Sequence, residues 1–232
     1  CDNGLDVNIA APRLDAFTVK DTQAMRAASV VRLSLNGGLV MATAEPVVSF
    51  DGVPMSPPPA AFLQASREGE AALIGLVKAA AAKARRIADL FSGCGTFALP
   101  LAKTASVSAF DSDRAAIEAL QRAAAAAQAS ASPINPLRVE ARDLFERPLT
   151  AKELKNFDAA VFDPPRAGAE SQAAEIARSR VPLVIGVSCN PQTFARDASL
   201  LVAGGYRLLE VTPVDQFVYS PHIELVGVFA KE

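Results

Sequence analysis

In the segment VPLVIGVSCNPQTFARD, residues 181–197, an apolar run ends in Ser188-Cys189-Asn190-Pro191 and a helical pattern follows. A core cysteine needs no such place, whereas a thiolate nucleophile does. A thiol beside a helix N-terminus sees the positive end of the dipole, and in such settings its pKa falls from about 8.5 toward ~3.5–7.5. Asn190 suits the N-cap of that helix, Pro191 its first turn and Gly204-Gly205 its end. A second group with chemical potential stands in DQFVYSPHIEL, residues 215–225, where Glu224 opens an apolar strand. A charge there is out of place unless it is used or paired. In an extended chain His222 and Glu224 share one face while Ile223 and Leu225 take the other. His222 is the only histidine, and its expected role is positioning.

Two further stretches look built for a ligand. DLFSGCGTFA, residues 89–98, follows a strand and carries Gly93 and Gly95, which permit a tight turn and close backbone approach. Asp111 ends the next strand, where a carboxylate can accept hydrogen bonds from ribose hydroxyls. Gly-x-Gly-x-x-Ala with a distal acid also matches a dinucleotide fingerprint. The shortness of the loop and the later Phe162-Asp163-Pro164-Pro165-Arg166 lean toward S-adenosylmethionine. Asp163 is expected at the C-terminal end of a parallel strand, in the ligand crevice, with two prolines stiffening the turn after it. Related Asp-Pro-Pro loops serve amine methyltransferases, so this motif speaks to class before substrate. Cys94 reads as a small filler.

The elements that must position these residues alternate. From Arg85 onward, strand candidates RRIADLF, VSAFD, LRVEAR, FDAAVFD, PLVIGVS, YRLLEVTPV and IELVGVFAK enclose helices expected at about 97–103, 113–129, 169–179 and 191–203. That alternation implies a mostly parallel sheet with helices on both faces. The last two strands have only a loop between them, which suggests an antiparallel pair at the sheet edge. Residues 1–59 read as short strands with turns at Asn36-Gly37-Gly38 and Asp51-Gly52. Pro57-Pro58-Pro59 marks the boundary between that β-rich segment, 1–59, and the domain 60–232. From Ala61 to about Ala84, an Ala-rich run with Leu63, Leu73, Leu76 and Val77 predicts a long helix or two.

At 232 residues, half of them hydrophobic, the chain can build one large domain or one with a smaller appendage. Apolar runs such as Val181–Val187 are too short to span a bilayer, and no membrane association is expected. The first twenty residues hold charges and no signal-peptide core. Three unevenly spaced cysteines make no disulfide framework, and a cytoplasmic location is expected. A chain opening on Cys1 is expected to be a piece of a longer protein. The net charge of −2 argues weakly against nucleic acid, although charge can be local.

Taken together, FLQ (62–64), DLFSGCGTF (89–97), FDPPRAG (162–168), SCNPQTFARD (188–197) and DQFVYSPHIEL (215–225) resemble the RNA 5-methyluridine methyltransferases. The resemblance implies an α/β fold, the Rossmann-like seven-stranded class I methyltransferase sheet, preceded by the remnant of a β-rich central domain. It implies S-adenosyl-L-methionine as cofactor, held by Gln64, Phe91, Gly93, Gly95, Thr96, Asp111, Asp143 and Asp163. Cys189 is then the nucleophile and Glu224 the base. Asp111 and Thr96 stand where Glu and Asn are common, and Ser66 where Asn is often found. Some members carry a four-cysteine iron–sulfur cluster. Cys1 alone would supply one ligand, so neither a cluster nor any other metal is expected in this chain.

The implied reaction explains the residue types. Uracil C5 is a poor nucleophile. Addition of a thiolate to C6 makes an enolate with charge shared toward C5, and a base later removes the C5 proton. Such covalent catalysis splits one hard step into easier ones. The target base must leave its stack, so base flipping from folded RNA is expected. The expected partner is RNA, ribosomal before transfer RNA, with no obligate protein partner. An amine methyltransferase using Asp163, which needs no Cys189, and a non-catalytic RNA-binding module, which would transfer no methyl label to RNA, are the rival readings.

Overall fold

The computed structural model describes residues 1–11, 18–217, 219–220 and 222–231, so Val218 and Pro221 of the DQFVYSPHIEL motif lie outside the described residues. In chain order the elements are β1 (Leu5–Ile9), α1 (Val19–Ala27), β2 (Val30–Leu35), β3 (Gly38–Ala42), β4 (Val48–Phe50), β5 (Val53–Met55) and α2 (Arg67–Ala80). Then come β6 (Arg86–Leu90), α3 (Ala98–Ala102), β7 (Ser106–Asp111), α4 (Arg114–Gln128), β8 (Leu137–Ala141) and α5 (Ala151–Leu154). The chain closes with β9 (Ala159–Phe162), α6 (Glu170–Arg178), β10 (Leu183–Ser188), α7 (Pro191–Ala203), β11 (Arg207–Val214) and β12 (Glu224–Ala230).

Seven strands form the main sheet in the order β11-β12-β10-β9-β6-β7-β8. The pairs among β10, β9, β6, β7 and β8 are parallel, while β12 runs antiparallel to both β10 and β11. This is the sheet of a class I methyltransferase. Strand residues alternate between two apolar layers. Ile87, Val107, Val161, Ile185 and Val226 pack on one face, under α2, α3 and α4, with Leu73, Leu99 and Leu120. Ala88, Phe110, Phe162, Val184 and Phe229 pack on the other, with Leu154, Ile176 and Leu201 from α5, α6 and α7. Burying a Leu or Ile side chain contributes about 1.5–3 kcal/mol. The two layers therefore hold the strand ends in place for whatever the loops do.

Two hairpins in the first segment follow their turn chemistry. Asn36-Gly37 and Asp51-Gly52 both take positive φ, as two-residue hairpin turns require. Phe50, Val53 and Met55 of the β4–β5 hairpin pack into the same layer as α2 and the main sheet. β1, β2 and β3 form a separate three-stranded sheet.

Two expectations need correction. The segment 1–59 contains a helix, α1. Thr18 accepts the Asp21 amide while the Asp21 carboxylate accepts the Thr18 amide, a reciprocal cap that T-x-x-D could have signalled. The helix expected from Ala61 starts only at Arg67. Ser66 takes an extended conformation and its hydroxyl accepts the Gly69 amide, so the cap fixes the start. Residues 61–65 stay non-helical, which leaves Gln64 free to reach the sheet edge.

Candidate active site

A cavity of about 400 Å³ opens at the C-terminal ends of the parallel strands. That is the edge where open α/β sheets bind ligands. Among the expected residues, Gln64, Phe91, Gly93, Thr96, Asp111, Asp163, Cys189 and Glu224 line it. Gly95 and Asp143 are not part of the wall. Gly95 has φ +90, and a Cβ there would strike the Leu120 side chain, so its smallness serves packing of the loop on α4. Asp143 Oδ1 accepts the amides of Phe145 and Glu146 at 2.8 and 3.3 Å, shaping the turn after β8.

The loop after β6 is tied to β7 by backbone geometry. Ser92 N–H donates to the Phe110 carbonyl at 3.0 Å. The Asp111 carboxylate accepts Gly93 N–H through Oδ2 and Asp113 N–H through Oδ1, both at 2.8 Å. Phe91 takes φ +62, an uncommon state for a non-glycine residue and one that gathers at functional loops. Its ring meets Phe145 at 5.4 Å between centroids, giving the cavity an aromatic wall. Phe145 escaped the sequence reading; a half-exposed aromatic two residues after Asp143 was the available signal. Cys94 is buried, and burial together with Asp113 and Asp111 pushes its thiol up to about 12, the condition of an inert core thiol. Beneath the loop lies Asp89, fully buried, its carboxyl held well above the usual range by burial and by Asp163 and Asp111.

The other half of the cavity is assembled from distant segments. β10 and β12 pair with Ser188 opposite Leu225. The ladder ends there; Cys189 is the next residue after β10 and Glu224 the first of β12, and both line the cavity, close enough for the Glu224 charge to act on the thiol. Cys189 is half-buried, while Glu224 is 4% exposed. Burial raises the Glu224 carboxyl, and Gln216 beside it pulls the other way. Gln216 Nε2 donates to Gln64 Oε1 at 2.8 Å, and Gln64 Nε2 stands 3.5 Å from Asp163 Oδ2. Gln216, also missed as a site residue, packs so close to α2 that a Cβ at Gly69 would lie 2.6 Å from its Oε1. Burial, then Glu224, push the Asp163 carboxyl up to about 7.

The thiol departs from expectation. Burial first, then the charges of Glu224 and Asp163, hold Cys189 above the ordinary thiol range, against a weaker pull from a backbone hydrogen bond and Arg166. The helix end is present, with Asn190 Oδ1 accepting Gln192 N–H at 3.0 Å. Burial and two carboxyl groups nevertheless raise the thiol, and only the fold brings these together at Cys189. His222 also differs from Glu224. It precedes β12 and is exposed, with Nδ1 2.8 Å from Arg166 Nη2, whereas Glu224 turns inward.

The family model described as tRNA (uracil-5-)-methyltransferase matches residues 60–232. The chain belongs to that family. An "uncharacterized RNA methyltransferase" of Rhizobium meliloti is 53% identical over 202 residues, 87% of this chain and 48% of the relative. The tRNA (uracil(54)-C(5))-methyltransferase of Pyrococcus abyssi is 37% identical over 144 residues, 61% of this chain and 32% of the relative. The crystal structure of the Pyrococcus abyssi tRNA (uracil-54, C5)-methyltransferase with S-adenosyl-L-homocysteine aligns with a TM-score of 0.78 at 25% identity, covering 97% of this chain and 56% of that one. The chain thus spans about half the length of the relatives it matches. With the family established, the dinucleotide reading of the glycine loop falls away. Among the described residues no helix is long and apolar enough to cross a membrane.

Proposed function

We propose that the protein methylates C5 of a uridine in RNA, with S-adenosyl-L-methionine as methyl donor and ribosomal RNA as substrate. The observation that carries this reading is that Cys189 and Glu224, from the ends of neighbouring strands, line one cavity. A nucleophile and a base in one cavity suit a reaction that adds at C6 and removes a proton at C5.

The cavity fits the cofactor on its own features. It has the volume of a small-molecule site. Phe91 and Phe145 offer apolar ring faces. Nothing lies within 4 Å of where a Cβ would stand on Gly93, so a ligand can approach its backbone. Asp111 presents a carboxylate at the strand end. In this reading Gln64, Phe91, Gly93, Thr96, Asp111 and Asp163 hold the cofactor, while Gly95 and Asp143 shape the loops behind it. When bound, S-adenosyl-L-methionine supplies an electrophilic methyl group on sulfonium sulfur.

The chain's own groups do the rest. The Cys189 thiolate adds to C6 of the flipped uracil, placing negative charge on O4 and C5. Asp163, its carboxyl raised to about 7 by burial and Glu224, lines the same cavity beside Gln64. After methylation Glu224 removes the C5 proton, help worth typically ~10²–10⁴-fold. Elimination of the Cys189 thiolate then restores the ring.

The similarity to the Pyrococcus abyssi enzyme favours a second substrate reading, the T-loop of transfer RNA. Mapping 5-methyluridine in ribosomal and transfer RNA from a deletion strain decides between them. Loss of the modification from neither RNA would remove the proposal. Glu224→Gln in the full-length protein should stall proton removal and trap a covalent RNA adduct, seen as a shifted band on a denaturing gel. Normal turnover without a trapped band would take Glu224 out of the role.

A further inference from the structure

The second half of SCNPQTFARD has no part in the chemistry described above. It nevertheless grips the FDPPRAG loop at three backbone groups. Asn190 Nδ2 donates to the Arg166 carbonyl at 3.1 Å, and the Thr193 hydroxyl shares its proton between that carbonyl at 3.3 Å and the Asn190 carbonyl at 3.2 Å, tying the loop to the start of the helix. Arg196 Nη2 donates to the Ala167 carbonyl at 3.1 Å. Ala169 N–H donates to Asp197 Oδ2 at 2.6 Å. Asp197 is 1% exposed, and its other oxygen accepts Arg196 Nε and Nη2 at 2.9 and 2.8 Å. A carboxylate taken from water to that depth is retained only with its partners satisfied, and here each oxygen has one.

The loop is shaped to accept the grip. Gly168 has φ +78, and a Cβ on it would stand 2.5 Å from Arg196 Nη2 and 2.8 Å from Asp197 Oδ2 and from Thr193 Cβ. Any side chain there would push the loop off α7. The loop begins at Asp163 and runs through two prolines with little freedom to Arg166. The helix begins two residues after Cys189, and Ser188 Oγ accepts Asn190 N–H at 3.2 Å in the intervening turn. The nucleophile and the Asp163 end of the loop therefore sit on one clamped unit.

We propose that Thr193, Arg196 and Asp197 are positioning residues that fix Cys189 relative to Asp163, and so set how fast the thiol meets the target carbon. None of them lines the cavity, so each acts through the loop. This inference rests on the uridine C5 reading. Misplacement of reacting atoms by about 1 Å can cost about 10²-fold in rate, so small slips here would be felt.

The test uses the full-length protein, S-adenosyl-L-methionine and RNA carrying 5-fluorouridine. With no removable C5 proton, that RNA traps the adduct, which is counted on a denaturing gel. Thr193→Val removes one hydroxyl without changing side-chain shape. Asp197→Asn keeps an acceptor for the Ala169 amide and turns a donor toward Arg196. Both variants should form adduct more slowly, about threefold for Thr193→Val and about tenfold or more for Asp197→Asn, yet reach the wild-type amount at long times. Thr193→Ser keeps the hydroxyl and should restore the wild-type rate. Cofactor dissociation constants should stay within about twofold. A lower final amount at an unchanged rate would mean a purely structural role and overturn the proposal. Wild-type rates in both variants would overturn it as well. If Asp197→Asn does not fold, the Thr193 pair decides alone. Should the wild type form no adduct, the uridine C5 reading itself fails, an outcome separate from failure of the clamp.

Discussion

The two halves of the cavity are built in different ways. The cofactor-loop half is built around one continuous stretch, Phe91 to Asp113, folded between neighbouring parallel strands and fixed by the Asp111 carboxylate on two loop amides, with Gln64 and Phe145 completing its wall. The nucleophile half joins residues from three segments, at Asp163, Cys189 and Glu224, and exists only because β12 lies antiparallel against β10. An antiparallel strand inserted there starts where its parallel neighbours end. That reversal puts the first residue of β12 on the ligand edge. A parallel strand in the same place would begin at the far side of the sheet, with Glu224 a full strand length from Cys189. Local folding is enough for the loop after β6, whereas bringing Cys189 and Glu224 into one cavity needs the whole sheet.

Variants should separate the halves. The largest effect falls on the nucleophile: Cys189→Ala should lower methyl transfer by at least about 10³-fold, as deletion of a group acting within a catalytic unit does. Its cofactor affinity, measured by calorimetry, should be unchanged. Retained turnover would remove Cys189 from the reaction and return the amine methyltransferase reading. Asp111→Ala should do the reverse. Losing charge-assisted hydrogen bonds worth about 1.5–3 kcal/mol should weaken cofactor binding about 10- to 100-fold. Adduct formation at saturating cofactor should then stay near the wild-type rate, and a large drop would mean the halves are not separable.

The pH behaviour of the thiol sharpens the contrast further. Burial and two carboxyl groups raise Cys189, so less thiolate is present at neutral pH and its reactivity should climb as pH rises. Alkylation by iodoacetamide should show a midpoint above about 8.5, the ordinary thiol value. A midpoint below about 7 would mean that the helix end prevails over Glu224 and Asp163.

The smallest effect concerns stability. Asp163 is held at about 7 in the fold against a free value of 3.8. A raised carboxyl contributes stability that is fully present below the free value and lost as pH rises through about 7. Asp163→Asn removes that dependence. It should melt a few degrees above the wild type at pH 8 and close to it at pH 4. An identical difference at both pH values would mean that Asp163 ionises freely in the fold.

Several elements were legible in the sequence because their causes are local. The Ile87 to Leu90 run, the glycines of the loop, and the Asn190-Pro191 start of α7 each carry their structure within a few residues. So do the turns at Asn36-Gly37 and Asp51-Gly52. The start of α2 was misjudged because alanine content favours helix everywhere from 61 to 84, while the single Ser66 hydroxyl decides where the helix begins. Helix α1 was overlooked because its composition is polar and its cap is the only strong signal. Gln216 and Phe145 were missed for another reason. Gln216 lies within a quoted motif and Phe145 two residues after Asp143, yet each matters only through a contact made across space, with Gln64 in one case and Phe91 in the other.

By itself the sequence determined the alternation of strands and helices, the family, and the cysteine and carboxylate residue types on which the proposed reaction rests. Those follow from periodicity, turn chemistry and motifs, all properties of short stretches. Tertiary structure alone decided that Glu224 and Cys189 share one cavity, that the thiol is raised instead of lowered, and that α7 grips the Asp163 loop. The reason is that distance, burial and field depend on which strands become neighbours. Here the deciding neighbour is β12, laid in reverse beside β10.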